Sequence, residues 1–125
     1  MTPHDLLTNL RAQSPLVQCI TNYVAMSTAA NVVLAAGASP AMVHAAEEVG
    51  EFTPMAGALT VNIGTLSGHW IAGMVAAAEA ANAAGTPWVL DPVAHFISAY
   101  RRGAARLRFR RTPGSGRGQP AQRLS

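Results

Sequence analysis

Lysine is absent from this sequence, cysteine occurs once (Cys19), and aromatic residues make up 6% of its 125 positions. A single cysteine excludes an intramolecular disulfide framework and a Cys-rich zinc site. His4, His44, His69 and His95 are far apart and lack metal-ligand spacing, so they read as surface or supporting residues. Long apolar runs are also missing. Stretches such as Ile71–Ala81 are Ala-rich and too short to cross a bilayer. Met1–Leu10 carries acidic Asp5 and no basic residue ahead of an apolar core, which is not a signal-peptide pattern and makes the cytoplasm the default compartment. What is present is a chain 50% hydrophobic and 12% charged, enough for one domain with one core and a composition that argues against wholesale disorder.

The formal net charge of +3 conceals a division. Residues 1–100 hold one basic residue, Arg11, against all six acids (Asp5, Glu47, Glu48, Glu51, Glu79 and Asp91), a balance of −5. Residues 101–125 hold the other eight arginines and no acid, a balance of +8. A sequence pI near 10.0 would suggest a nucleic-acid binder, yet its source is the last fifth of the chain.

Two segments share one grammar. Gly37-Ala38-Ser39-Pro40 and Gly85-Thr86-Pro87 each follow an apolar stretch and precede a short apolar run. Glycine suits a helix C-cap, the proline bars helix continuation, and the run after it reads as a buried strand. Helix, Gly, Pro, strand, twice over, is the sequence mark of βαβ crossovers. The spacing predicts helices over Asp5–Gln13 (Asp5 as N-cap), Met26–Ala36 (capped by Thr21, Asn22 or Ser27), Glu47–Thr53, and from Ser67 to about Asn82. Strands are expected at Leu16–Ile20, at the run after Pro40, at Ala58–Ile63 and at Trp88–Leu90. The fold class is therefore α/β, with a mainly parallel sheet covered on both faces. Residues 101–125, rich in Arg, Gly and Pro, break the pattern. No helix-strand unit can be drawn there, and they read as a disordered or loosely attached basic tail.

In an open parallel sheet, ligands bind outside the carboxyl ends of the strands. The residues there are Thr21-Asn22-Tyr23, Met42-Val43-His44, Asn62-Ile63-Gly64-Thr65 and Asp91-Pro92-Val93. Each also has a plain structural reading. Asn22 suits a helix cap, Met42 a core gap, Gly64 a turn, and Asp91 before Pro92 a turn residue. Asp91 stands out as the only acid from Ala80 to the C-terminus, placed at a strand end. Cys19, inside an apolar strand, reads as a buried small hydrophobe. Gly114-Ser115-Gly116-Arg117-Gly118 lacks a preceding strand and a closing Gly-Lys-Ser/Thr, so it is not a P-loop.

Read together and in order, Cys19-Ile20-Thr21-Asn22-Tyr23-Val24, Gly37-Ala38-Ser39-Pro40-Ala41-Met42, Ala45-Ala46-Glu47-Glu48, Asn62-Ile63-Gly64-Thr65-Leu66 and Leu90-Asp91-Pro92-Val93 resemble the N-terminal part of the hydroxyethylthiazole kinase family. The likeness runs from about Pro15 to Tyr100. It implies a ribokinase-like α/β/α fold and ATP-dependent phosphorylation of the hydroxyl of 4-methyl-5-(2-hydroxyethyl)thiazole in thiamine salvage, by a homotrimer with active sites at subunit interfaces. By the same resemblance, Met42 contacts the thiazole, Asn22, Gly64 and Thr65 line its pocket, and Asp91 lies near Mg²⁺, directly or through water. A carboxylate suits Mg²⁺, which prefers oxygen ligands and keeps several waters.

The sequence also departs from the family. Its members are roughly twice as long, and the motifs that would hold ATP and the transferring phosphate find no match here. The expectation is a truncated copy with part of the thiazole pocket, no retained catalytic residue and no working ATP site. Its tail resembles what a reading-frame shift produces. On this reading the family's trimer is not carried over. A different class of function is a non-catalytic role, binding a full-length kinase subunit or, through the basic tail, nucleic acid. Nucleic acid is the weaker of these, because the tail offers arginines for phosphates but one aromatic, Phe109, for reading bases. A sheet lacking further strands would also leave an exposed apolar edge.

Overall fold

The computed structural model describes residues 1–107 of the 125. In chain order the elements are α1 (Pro3–Gln13), β1 (Leu16–Ile20), α2 (Met26–Ala36), β2 (Ser39–Ala41), α3 (Val49–Phe52) with a 3-10 turn (Thr53–Met55), β3 (Ala58–Asn62), α4 (Gly68–Ala84), β4 (Trp88–Asp91) and α5 (Ala99–Leu107). The four strands form one parallel sheet in the order β2-β1-β3-β4. This is the expected α/β class. The chain runs outward from β1 to β2, then doubles back past β1 to β3. Right-handed crossovers in opposite directions put α2 on one face and α3 and α4 on the other. The packing agrees, since α1 meets α2, and α3 and the 3-10 turn meet α4.

The two faces are unequal. The core lies under α4, where Trp70, Met74, Ala77, Ala78 and Ala81 pack on Ile20, Leu59, Val61 and Ile63. No residue of α1 or α2 is fully buried. In β3, Leu59 and Val61 are buried while Ala58, Thr60 and Asn62 are only half-buried. The sheet is thus sealed by α4 on one side and thinly covered on the other, short of the full cover on both faces that the apolar strands suggest.

Local signals explain most boundaries. Gly37 (φ 109°) and Gly85 (φ 73°) end α2 and α4 in the left-handed conformation that glycine adopts without penalty. Ser67 caps α4, its Oγ accepting from the Trp70 N–H at 3.2 Å. Three expectations need correction. The N-cap of α1 is Thr2, not Asp5: Pro3 takes the first turn, the Thr2 hydroxyl accepts from the Asp5 N–H, and the Asp5 carboxylate accepts from the Thr2 N–H. Between Glu47 and Thr53 only Val49–Phe52 is α-helical, because Pro54 has no N–H and the chain tightens into a 3-10 turn. Finally, Arg101–Leu107 lies within α5, where sequence composition drew no element. The rest of the basic tail, 108–125, lies outside the described residues.

Candidate functional site

The sheet order reverses between β1 and β3, and such a switch point opens a crevice at the strands' carboxyl ends. Asn22 follows β1 there, and Asn62 ends β3. A line of hydrogen bonds crosses the three strand ends: Asn22 Nδ2 donates to Asn62 Oδ1 (3.0 Å), and Asn62 Nδ2 donates to Asp91 Oδ2 (3.0 Å). Backbone donors fix the direction of both amides. The Gly64 N–H donates to Asn62 Oδ1 (2.8 Å) and the Ala25 N–H to Asn22 Oδ1 (2.8 Å), so each oxygen is identified by a group that can only donate. Asn22 thus reaches across the crevice, but the expected side-chain cap of α2 by Thr21, Asn22 or Ser27 does not form: the N-cap is Ala25, and Asn22 Oδ1 takes that residue's own N–H one turn too early to cap the helix.

The two loops are tied together as well. The Tyr23 N–H donates to Thr65 Oγ1 at 3.2 Å. Gly64 lies so close to Asn22 that a Cβ there would sit 2.7–2.9 Å from the Asn22 side chain. Gly64 thus answers to close approach as well as to a turn.

Met42 stands apart from this group. Ala41 at the end of β2 pairs with Gln18, whereas Asn62 pairs with Asp91 and follows Val61, the partner of Ile20. Met42 is consequently lower in register, just past the end of the outer strand β2, half-buried, and about three strand spacings of ~4.8 Å each from the strand that carries Asp91. The loop after it is held from below and from the side. Gln18, fully buried in β1, donates from Nε2 to the Val43 carbonyl (2.9 Å) while its Oε1 accepts from Thr53 Oγ1 (2.7 Å). The His44 ring stacks on Trp70 (centroids 4.4 Å, 17° between planes), and Tyr23 meets the same indole edge-on at 5.3 Å. Sequence reasoning gave Asn62, Trp70 and Tyr23 no separate role. The signal for Asn62 was its place at a strand end; nothing in the spacing announced the Trp70 contacts. Cys19 is buried in β1 with its thiol toward the Val17 carbonyl (3.7 Å), well placed as a small apolar filler.

Asp91 is exposed, with one carboxylate oxygen engaged by Asn62 and no partner for the other among the described residues. No group of three His, Cys, Asp or Glu side chains gathers around a metal position among those residues. A lone carboxylate with a free oxygen does fit Mg²⁺, which binds through one or two carboxylates plus waters and substrate phosphates and needs no protein cage. It would not suit a structural zinc ion, which requires four protein ligands.

Residues 7–111 match the hydroxyethylthiazole kinase family. The chain belongs to that family. It is 66% identical to the hydroxyethylthiazole kinase of Roseobacter denitrificans over all 125 residues, which is 49% of that protein, and 70% identical to that of Rhizobium rhizogenes over 101 residues, 81% of this chain and 38% of the relative. The solved structure of hydroxyethylthiazole kinase from Pyrococcus horikoshii superposes with a TM-score of 0.79 at 46% identity, covering 81% of this chain and 40% of that one. This hydroxyethylthiazole kinase family chain thus spans about half or less of the length of the relatives it matches. The family match takes in the whole stretch from Pro15 to Tyr100 and includes α5. No helix among the described residues is long and apolar enough to cross a membrane.

Proposed function

We propose that this chain carries the alcohol-binding part of a hydroxyethylthiazole kinase site, serving ATP-dependent phosphorylation of the hydroxyl of 4-methyl-5-(2-hydroxyethyl)thiazole in thiamine salvage. The observation that carries the reading is the hydrogen-bonded line Asn22–Asn62–Asp91 across three strand ends of a chain 66% identical to a curated kinase of that name. Met42 takes the thiazole ring on the β2 side, and Asn22 with the Gly64-Thr65 turn forms the wall of the crevice. Asp91 lies too far across the sheet to touch a ring held at Met42, so its carboxylate faces the phosphate end. Asn62 holds that carboxylate by one oxygen and leaves the other toward Mg²⁺. The ion, when bound, would neutralise phosphate charge, which with in-line positioning is most of what phosphoryl transfer requires.

The nucleotide-holding residues belong, on this reading, to the portion of the relatives that the 125 residues do not span. The isolated chain should therefore bind the thiazole alcohol without turning it over. Cytoplasmic placement follows from the salvage role, and the family's homotrimer would have to be completed by further polypeptide.

The test is titration calorimetry with the thiazole alcohol, paired with a labelled-phosphate transfer assay containing ATP and Mg²⁺. Saturable binding without transfer is the expected result. Absence of saturable binding would remove the alcohol subsite from this chain, and robust transfer would overturn the placement of the nucleotide site.

A further inference from the structure

Among the arginines that begin the basic run, Arg101 is the one turned into the fold. It lies in the first turn of α5, where its N–H donates to Ser98 Oγ (3.1 Å). Ala104 and Ala105, three and four residues on and hence on the same helical face, are 3% and 6% exposed, and Ala105 belongs to the core. That face delivers the half-buried Arg101 guanidinium to the sheet rim. There Nη1 donates to the carbonyls of Ile63 (2.6 Å) and Val93 (3.2 Å), and Nη2 donates to the carbonyl of Gly64 (3.0 Å).

These acceptors share a feature. The β3–β4 pairing ends with Asn62 opposite Asp91, and the last inter-strand bond runs from the Ile63 N–H to the Asp91 carbonyl at 3.3 Å. The carbonyls of Ile63 and Gly64 lie just past that end, and Ile63 is fully buried. Buried backbone acceptors need donors, and a guanidinium supplies up to five in a fixed plane with no acceptor of its own. The loop after β4 needs holding for a second reason. Ala94 has φ 52°, a left-handed conformation that a non-glycine residue adopts at a cost, and the Val93 carbonyl directly precedes it.

We propose that Arg101 is a positioning residue of the site. One guanidinium bridges the turn after β3, which presents Gly64 and Thr65, to the loop after β4, which follows Asp91, and so sets the width of the crevice between alcohol wall and carboxylate. Arg102, next in sequence, donates from its guanidinium to the Phe96 carbonyl (2.9 Å) within the neighbouring loop, and among the described residues it joins no second loop. The consequence for binding rests on the alcohol-subsite reading above, whereas the clamp itself does not.

The experiment uses the full chain and three variants, Arg101→Met, Arg101→Lys and Arg102→Met. Amide hydrogen exchange and backbone NMR shifts are read at residues 64–66 and 93–95, and affinity for the thiazole alcohol is measured by calorimetry. Arg101→Met should speed exchange in both loops together and weaken the alcohol by about 10-fold, the scale seen when supporting groups behind a site are removed. Arg101→Lys keeps the charge but not the planar fork, so it should recover one loop and only part of the affinity. Arg102→Met should leave residues 64–66 unmoved. Arg101→Lys also keeps the test decisive if the methionine variant fails to fold. Unchanged exchange and shifts at residues 64–66 in the folded Arg101 variants would overturn the proposal. An unmodified chain that binds no alcohol, but whose loops respond together to Arg101→Met, would retire the alcohol subsite and leave the clamp standing.

Discussion

Gly73 offers the sharpest test of how the Met42 loop is held. It lies in the middle of α4, and a Cβ built on it would run into the carbonyl oxygen of His44, with that carbonyl's carbon at 3.3 Å and the Ala46 nitrogen at 3.6 Å. Comfortable carbon-to-carbonyl-oxygen contacts begin at about 3.3 Å, so Gly73→Ala asks helix and loop to part. Neither can oblige freely. The obstructing atom is backbone, the Gln18 amide holds the adjacent Val43 carbonyl, and Trp70 and Met74 on either side of Gly73 are buried in the core. Helix propensity alone would favour alanine by roughly 0.5–1 kcal/mol, while forcing extra volume into a packed contact costs about 1–3 kcal/mol and occasionally more. The overlap with a fixed backbone atom puts this case at the costly end, with a net destabilisation of about 1–3 kcal/mol and a melting temperature lower by roughly 3–6 °C for each kcal/mol in a chain of this size. Gly68→Ala, at the start of the same helix with nothing within 4 Å of its Cβ, is the control and should melt within a degree or two of the parent or slightly above it. Thermal melts by circular dichroism decide the matter. A Gly73→Ala chain that melts at or above the parent would refute the claim that α4 and the His44 backbone are in forced contact. In a folded variant, loosened packing of His44 on Trp70 should appear as a changed indole fluorescence.

Three further outcomes follow from the same geometry. Gly64→Ala should displace the Asn22 side chain and break its bond to Asn62, costing about 1–2 kcal/mol in urea unfolding; combined with Asn22→Ala, which removes two of the three obstructing atoms, the double variant should be less destabilised than the sum of the singles. Thr53→Val leaves the buried Gln18 Oε1 without its donor and should cost about 1–3 kcal/mol, so a loss under about 0.5 kcal/mol in the same assay would mean the oxygen is satisfied elsewhere. At the N-terminus, the Thr2 backbone N–H and then the Thr2 side chain hold the Asp5 carboxyl below its ordinary value. Its contribution is therefore fully present above the ordinary carboxylate range, about pH 4, and is lost as pH falls through the lowered value; amide exchange in α1 followed down the acid range should show the first turn fraying there, and Thr2→Ala, which removes the hydroxyl but keeps the larger backbone donor, should shrink that acid step without abolishing it.

How legible the fold was depends on whether a feature is local. Leu16–Ile20 forms the expected strand to the residue, and Gly37, Gly85 and Ser67 cap where chain chemistry says they should, because each signal is complete within a few residues. The parallel sheet could be inferred from helices alternating with short apolar strands, but the order β2-β1-β3-β4 could not, since crossover direction depends on what each strand meets across the sheet. The site divides in the same way. Asn22, Gly64, Thr65 and Asp91 were visible as strand-end residues, while their joining through Asn62 required knowing that β1, β3 and β4 lie side by side. Arg101 shows the cost of averaging. A charge count places it with a run of eight arginines and hides it there, although the helical step from Arg101 to Ala104 and Ala105 distinguishes it from its neighbours at once. Composition describes what a segment contains, and periodicity describes which way it faces. For a residue whose work is done by three hydrogen bonds to two loops, only the second bears on function.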